Sequence, residues 1–245
     1  MKISSSQKVE NRQAILDAAV DLISEKGFRA ATMRAIARKA GVGDATIYSY
    51  FPSKEALLYG YYQDAMNAAA EAMERVEGIE TYDLRENVQV FLETILEGFL
   101  KDREFVDQTF ASVFFHPLPA GGSIKAIRKR FLTVVEGMLE RAVQAGELQE
   151  VMLDELVQIF IWDFSVATVL YWLRDDSGQF ANTTIFIDKS LDLGYAVLKS
   201  GVLNKLLGLA SFLFKSHVLS RMDVFMEQHA TFSRIKREFM SHDKG

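Results

Sequence analysis

Thr32-Met33-Arg34-Ala35-Ile36-Ala37-Arg38-Lys39-Ala40-Gly41-Val42-Gly43-Asp44-Ala45-Thr46-Ile47-Tyr48-Ser49-Tyr50-Phe51 carries the most specific structural pattern in the chain. Met33, Ile36, Ala37 and Ala40 recur at i, i+3, i+4 and i+7, which is one apolar face of a short helix. Thr32 is placed to cap that helix by accepting a backbone N–H two or three residues on. Gly41 follows the last periodic residue, where a left-handed backbone costs glycine nothing. Val42 fills the angle, and Gly43 or Asp44 opens a second helix. Ile47 and Phe51 return inward at i, i+4. Asp44, Ala45, Thr46, Tyr48, Ser49 and Tyr50 are left near the outer side. Two short helices joined by a tight glycine turn form a helix-turn-helix, whose second helix enters the major groove of DNA.

Working outward, Val9–Lys26 carries Ile15, Ala19, Leu22 and Ile23 as one buried stripe, and Gly27 stops it. Phe28 is placed to pack under the helix pair, so a three-helix head closes by Phe51. Pro52-Ser53-Lys54-Glu55 then begins a new helix, with Ser53 as its cap and Glu55 suited to the positive helix start. This helix is expected to run to about Val76, to end at Gly78, and to act as a stiff lever between a head of residues 1–52 and a body of residues 53–245.

The body reads as further helices: Asp83–Lys101 carrying Val88, Phe91, Leu92, Ile95 and Phe99, Glu104–Phe115, one capped by Ser123 and running to about Ala145, Leu153–Leu173, Thr183–Lys199, about Val202–Lys215, and His217–Met240. His116–Gly122 and Asp175–Asn182 are loops. No strand-like alternation of useful length occurs, and an all-α fold follows.

Of the 245 residues, 49% are hydrophobic and only three are proline, which suits a sizeable helical core. The absence of cysteine excludes disulfides and thiolate metal sites. Met1–Glu10 has no apolar run of a cleavable leader, so a cytoplasmic location is expected. The net charge of −5 is uneven. Residues 1–60 hold nine Lys/Arg against six Asp/Glu, and the remainder nineteen against twenty-seven. A mildly basic head on an acidic body concentrates phosphate attraction at one end.

Residues 9–62 resemble the tetracycline-repressor (TetR) family of bacterial transcription regulators. Thr32-Met33-Arg34-Ala35-Ile36-Ala37 running into Ala40-Gly41-Val42, Ala45-Thr46-Ile47-Tyr48-Ser49-Tyr50-Phe51, and Ser53-Lys54-Glu55-Ala56-Leu57 carry the resemblance. It implies a homodimer on a palindromic double-stranded DNA operator, usually a repressor released by a small ligand. It places Gly43, Asp44, Ala45, Thr46, Tyr48 and Ser49 at bases or nearby backbone. Thr32, Arg34, Tyr50 and Lys54 fall at phosphates. Asp44 departs from the polar or basic residue common there. An acid loses phosphate attraction, and either accepts from a cytosine amino group or merely caps the second helix.

Phe91, Phe99, Phe110, Phe114, Trp162 and Tyr171 are candidates to line a pocket for an apolar or aromatic effector, with plain core packing as the alternative. Asp163 interrupts Ile159-Phe160-Ile161-Trp162 and Phe164, either as a polar anchor facing a pocket or subunit interface or as a solvent-facing residue. Leu156–Leu173 is barely long enough to span a membrane and is interrupted by Gln158 and Asp163, so a buried helix in a dimer is preferred and no membrane partner is expected. Lys125, Arg128, Lys129 and Arg130 read as a solvated basic face. No G-x-x-x-x-G-K-[ST] or G-x-S-x-G motif occurs, and the four histidines lack metal-ligand spacing. Neither cofactor nor metal is expected, and no catalytic role. The alternative is a helical enzyme or non-DNA interaction module that reuses the same head.

Overall fold

The computed structural model describes residues 4–115, 124–148 and 154–213, and all regular structure there is helical. The order is α1 (Ser5–Lys26), α2 (Met33–Lys39), α3 (Ile47–Tyr50), α4 (Lys54–Met73), α5 (Leu84–Leu100), α6 (Arg103–Phe114), α7 (Ile124–Gln144), α8 (Asp154–Arg174), α9 (Ala181–Lys199) and α10 (Val202–Leu213). The His116–Gly122 loop, the Ser123 cap and the His217–Met240 helix lie outside the described residues.

Local chemistry sets the boundaries of the head. The Ser4 hydroxyl caps α1 at Gln7 N, the Thr32 hydroxyl caps α2 at Ala35 N, and the Ser53 hydroxyl caps α4 at Ala56 N, each at 3.2 Å. Gly41 takes φ +70°, the left-handed turn between α2 and α3. Asp83 and Glu86 form a reciprocal capping box at the start of α5. α4 stops at Met73, earlier than Val76, and Gly78 opens a separate 3-10 turn at Ile79–Thr81.

Two compact units make up the chain. One comprises Met1–Glu147 with Leu153–Tyr195. Within it α1 packs on α2 and α6, α4 lies along α5 and α7, and α7 packs on α8. Ile15, Ile23, Ile36 and Ile47 are fully buried under the head. The predicted α5 stripe of Val88, Phe91, Leu92, Ile95 and Phe99 is buried throughout. α8 satisfies the length and apolarity of a membrane span, yet Val157, Trp162, Val169, Trp172 and Leu173 are buried inside this unit. The other unit comprises Leu148–Met152 and Ala196–Gly245, and α10 within it exposes Val202, Leu206, Leu209 and Phe212.

Candidate functional site

The helix-turn-helix presents its outer side as the spacing requires. Ile47 and Phe51 are 0% and 4% exposed, while Tyr48 between them is 53% exposed. Gly43, Asp44, Ala45 and Ser49 are exposed, and Thr46 and Tyr50 half-buried. The turn into α3 is closed by Thr46 N and Ile47 N on the Gly43 carbonyl at 2.8 and 3.2 Å. A Cβ at position 43 would meet Thr46 Oγ1 at 3.2 Å, so glycine keeps this turn tight. The Ser49 hydroxyl donates to the Thr46 carbonyl at 2.7 Å, and Tyr50 Oη accepts from Asn11 Nδ2 at 3.2 Å. Thr32 and Arg34 stand exposed on α2.

Two residues of this surface have partners inside the chain. Asp44 does not cap α3: the cap residue is Thr46, without a side-chain cap hydrogen bond, and the Asp44 carboxylate pairs with Arg34 Nε at 3.0 Å. Lys54 is drawn back onto the segment between α1 and α2. Its ammonium donates to the carbonyls of Phe28 and Ala31 and sits 4.2 Å from the centre of the Phe28 ring. Burial pushes its pKa down from the ordinary lysine value. These carbonyls are left open where the chain crosses from α1 to α2 and accept the ammonium.

Behind the head, α4 is fastened at several points. Arg12 of α1 pairs with Asp64 of α4, and its guanidinium lies over the Phe51 ring at 5.4 Å. The Phe51 ring in turn leans on Gly60. Tyr62 of α4 is buried and shares a 2.8 Å hydrogen bond with the Thr109 hydroxyl of α6. Tyr61 donates to Asp102 at 2.9 Å. Burial first, and then the Asp102 charge, raises the Tyr61 pKa well beyond its ordinary value. α6 reaches the head directly where Gln108 Nε2 donates to the Ser24 carbonyl at 3.3 Å.

The body's aromatic residues form a continuous packed column. Phe91 touches Phe131, Phe131 touches Trp162, Trp162 touches Phe114, and Phe114 stacks on Phe110 at 4.2 Å. Phe110 and Phe114 both meet Tyr62, and Phe99 closes on Tyr61 and Tyr62. Five of the seven pocket candidates therefore come together. Asp163 and Tyr171 do not: both are exposed on the opposite side of α8, and Tyr171 stacks on Phe186 of α9 at 4.7 Å. α8 is apolar nearly all round, so its pattern does not reveal which side faces inward.

Three arginines carry more than the sequence reading gave them. Arg12 clamps α1 to α4. Arg103 donates to the Trp172, Leu173 and Asp175 carbonyls at 3.0–3.2 Å, closing the end of α8. Arg128 is not a solvated residue of a basic face. It is half-buried, with its guanidinium 6.0 Å from the Trp162 ring centre and its buried Nε without a hydrogen-bond partner. No local signal separates these arginines from ordinary surface cations.

Comparison with known proteins agrees with this arrangement. The family described as "Bacterial regulatory proteins, tetR family" matches residues 15–59, and "Tetracyclin repressor-like, C-terminal domain" matches residues 87–213. The second match runs through α10, so α10 lies within the family's C-terminal domain. The "Fatty acid metabolism regulator protein" of Bacillus subtilis (strain 168) is 30% identical over 171 residues, covering 69% of this chain and 87% of that protein. The crystal structure of the transcriptional regulator FadR from Bacillus subtilis in complex with stearoyl-CoA is 27% identical, with a TM-score of 0.58 over 75% of this chain and 97% of that one. A TetR-family transcriptional regulator from Syntrophomonas wolfei shares the fold at 22% identity, with a TM-score of 0.63 over 80% of this chain and 98% of that one. With its helix-turn-helix matched at the front and its helical body matched through α10, the chain belongs to the TetR family: it is a DNA-binding, ligand-responsive transcriptional regulator and not an enzyme.

Proposed function

We propose that the chain acts in the cytoplasm as a homodimeric repressor, reads a palindromic operator with two copies of α3, and is released by a long-chain acyl-CoA. The observation that carries the DNA reading is the 53% exposure of Tyr48 between a buried Ile47 and a buried Phe51. An aromatic held out on a rigid helix, beside Gly43, Ala45, Thr46 and Ser49, is suited to the groove. Thr32, Arg34 and Tyr50 flank it as phosphate contacts. Lys54 serves this reading indirectly, by fixing the start of α4.

Two recognition helices must stand about 34–36 Å apart to meet successive major grooves. The outer face of α8 and α9 supports a symmetric pairing that sets such a spacing. Phe160 is 60% and Leu193 69% exposed there, beside Ile159, Tyr171 and Ile185. An exposed apolar face of this extent favours burial against a second copy. Asp163 lies on that face.

For the effector, what supports an acyl-CoA is the likeness to the regulator solved with stearoyl-CoA, together with the aromatic column and Arg128 at its edge. Phe91, Phe99, Phe110, Phe114 and Trp162 suit an apolar chain, and the unsatisfied Arg128 Nε suits an anionic oxygen. Such a ligand releases DNA only through tighter binding to the conformer that DNA does not take. The test is fluorescence anisotropy with DNA selected from a random duplex pool. Stearoyl-CoA is expected to weaken binding by roughly 5–150-fold, the range of ordinary allosteric coupling, while CoA alone has little effect. Operator affinity unmoved by stearoyl-CoA that demonstrably binds the protein would overturn the effector assignment. A monomer by light scattering at operator-binding concentration would overturn the dimer.

A further inference from the structure

The ion pair between Arg34 and Asp44 sits on the proposed DNA-facing surface, where a carboxylate is out of place. It spans α2 and the turn before α3, with Nε to Oδ2 at 3.0 Å. Both side chains are well exposed, at 74% and 57%. An exposed pair of this kind adds little to folding stability. Its chemistry bears on DNA instead. Asp44 holds down the one arginine of α2's first turn, and its own charge repels phosphate.

We propose that Arg34 and Asp44 form a base-reading unit in which the Asp44 carboxylate selects an exocyclic amino group in the major groove and Arg34 positions it. This unit presupposes that residues 43–49 face the groove. An ionised carboxylate is an acceptor only. In the major groove it is matched by the cytosine N4 or adenine N6 amino group, whereas guanine O6 and N7 and thymine O4 are acceptors that repel it. Repulsion from the backbone acts on every sequence alike. Only a sequence that presents an amino group at this point offsets it. The acid therefore lowers affinity in general and restores it selectively. Arg34 engages one oxygen, Oδ2, and a carboxylate has lone pairs left to accept more than one donor. Toward the base Arg34 is a positioning residue: its Nε tethers the carboxylate across the turn, while the other end of the guanidinium serves the phosphate contact proposed above.

The experiment selects DNA from a random duplex pool with the full-length chain and with Asp44→Ala, Arg34→Gln, the double variant and Tyr48→Ala. Operator and non-operator affinities are then measured against salt. The wild type is expected to enrich cytosine or adenine at one position of each half-site. Asp44→Ala should lose that preference and bind non-operator DNA more tightly. Its discrimination at that position should fall about 5- to 150-fold, the value of one well-made base contact. Arg34→Gln should weaken the same preference while Asp44 is present, and change it no further in the double variant. Unchanged thermal midpoints identify these as binding effects. An Asp44→Ala protein with the wild-type base preference overturns the proposal, as does one with unaltered non-operator affinity. If Tyr48→Ala weakens binding in that case, the groove assignment stands and only the base-reading unit fails. If neither variant changes duplex binding, the groove assignment fails with it.

Discussion

Gly60→Ala tests how rigidly the recognition helix is seated on α4. Glycine at a helix interior is about 0.8–1.0 kcal/mol less favourable than alanine, so in an open position this change stabilises. Position 60 is not open. A Cβ there would lie 2.7 Å from Phe51 Cε1 and 3.4 Å from Phe51 Cζ, with an Arg12 guanidinium nitrogen at 3.6 Å. Phe51 is 4% exposed, and the Arg12 guanidinium over its ring is itself held by Asp64, so the ring has little room to swing away. Overpacking of this kind costs about 1–3 kcal/mol. That strain appears in folding if α3 stays in place. It appears in DNA binding if α3 relaxes, because the operator must then restore the crowded geometry. Subtracting the helix-propensity gain, the losses in folding and binding together should be about 0–2 kcal/mol, up to roughly a thirtyfold effect. Urea denaturation and operator anisotropy on the same preparation measure the two parts. Phe51→Leu in the Gly60→Ala background should recover part of the combined loss, and the double-mutant cycle isolates the contact. A Gly60→Ala protein about 1 kcal/mol more stable than wild type with unaltered operator affinity would show that the Phe51 ring is not confined there.

Lys54→Met removes the ammonium from the Phe28 and Ala31 carbonyls and should destabilise the head by about 1–3 kcal/mol, read by urea melts; its operator affinity should fall with the same salt slope as wild type, because no phosphate contact is lost. Leu193→Asp places a charge on the exposed apolar face of α9 and should shift the proposed dimer toward monomer in sedimentation while leaving the helical content intact. Asp175 is held well below the ordinary carboxylate range, first by the Ser177 hydroxyl and then by the Thr183 hydroxyl. Its contribution to stability is full above about pH 5, where the unfolded carboxyl is ionised, and falls as pH drops toward the depressed folded value. Asp175→Asn should therefore flatten the acid limb of the stability profile, and a profile parallel to wild type below pH 4 would count against this account.

The head was nearly all legible from sequence because its signals are local. Thr32, Ser53, Gly41 and the Ile47–Phe51 spacing each act within one helical turn, and each falls where periodicity puts it. α5 was legible for the same reason, since its apolar stripe is narrow. α8 was not, because a helix apolar nearly all round gives little to orient it: Asp163 stayed open between an inward and an outward position, and Tyr171 was expected at the pocket although it is exposed. The partners of Lys54, Asp44 and Arg128 were hidden for a different reason. A cation's partner lies wherever tertiary structure brings an acceptor, and Phe28 is 26 residues before Lys54. Residue type foretold that these groups need partners, not which ones.

The same long-range contacts constrain how a ligand in the body can reach DNA. Phe110 and Phe114 of α6 pack on Tyr62 of α4, and Thr109 of α6 shares a hydrogen bond with the same tyrosine. An apolar chain that displaces the α6 aromatics must therefore move α4 or break that bond. α6 also touches the head at Ser24 through Gln108, so shifting α6 alone disturbs α1 as well. α4 in turn cannot move without carrying Phe51 and Arg12, because Gly60 and Asp64 stand one helical turn apart on its head-facing side. The head is thus gripped at the end of α3 and near the end of α1, from two helices that share one aromatic core. Packed interfaces of this kind shift between discrete arrangements more readily than they deform. A ligand that favours a second packing of Phe110 and Phe114 against Tyr62 would tilt the whole recognition surface as one piece, without contacting any residue that touches DNA.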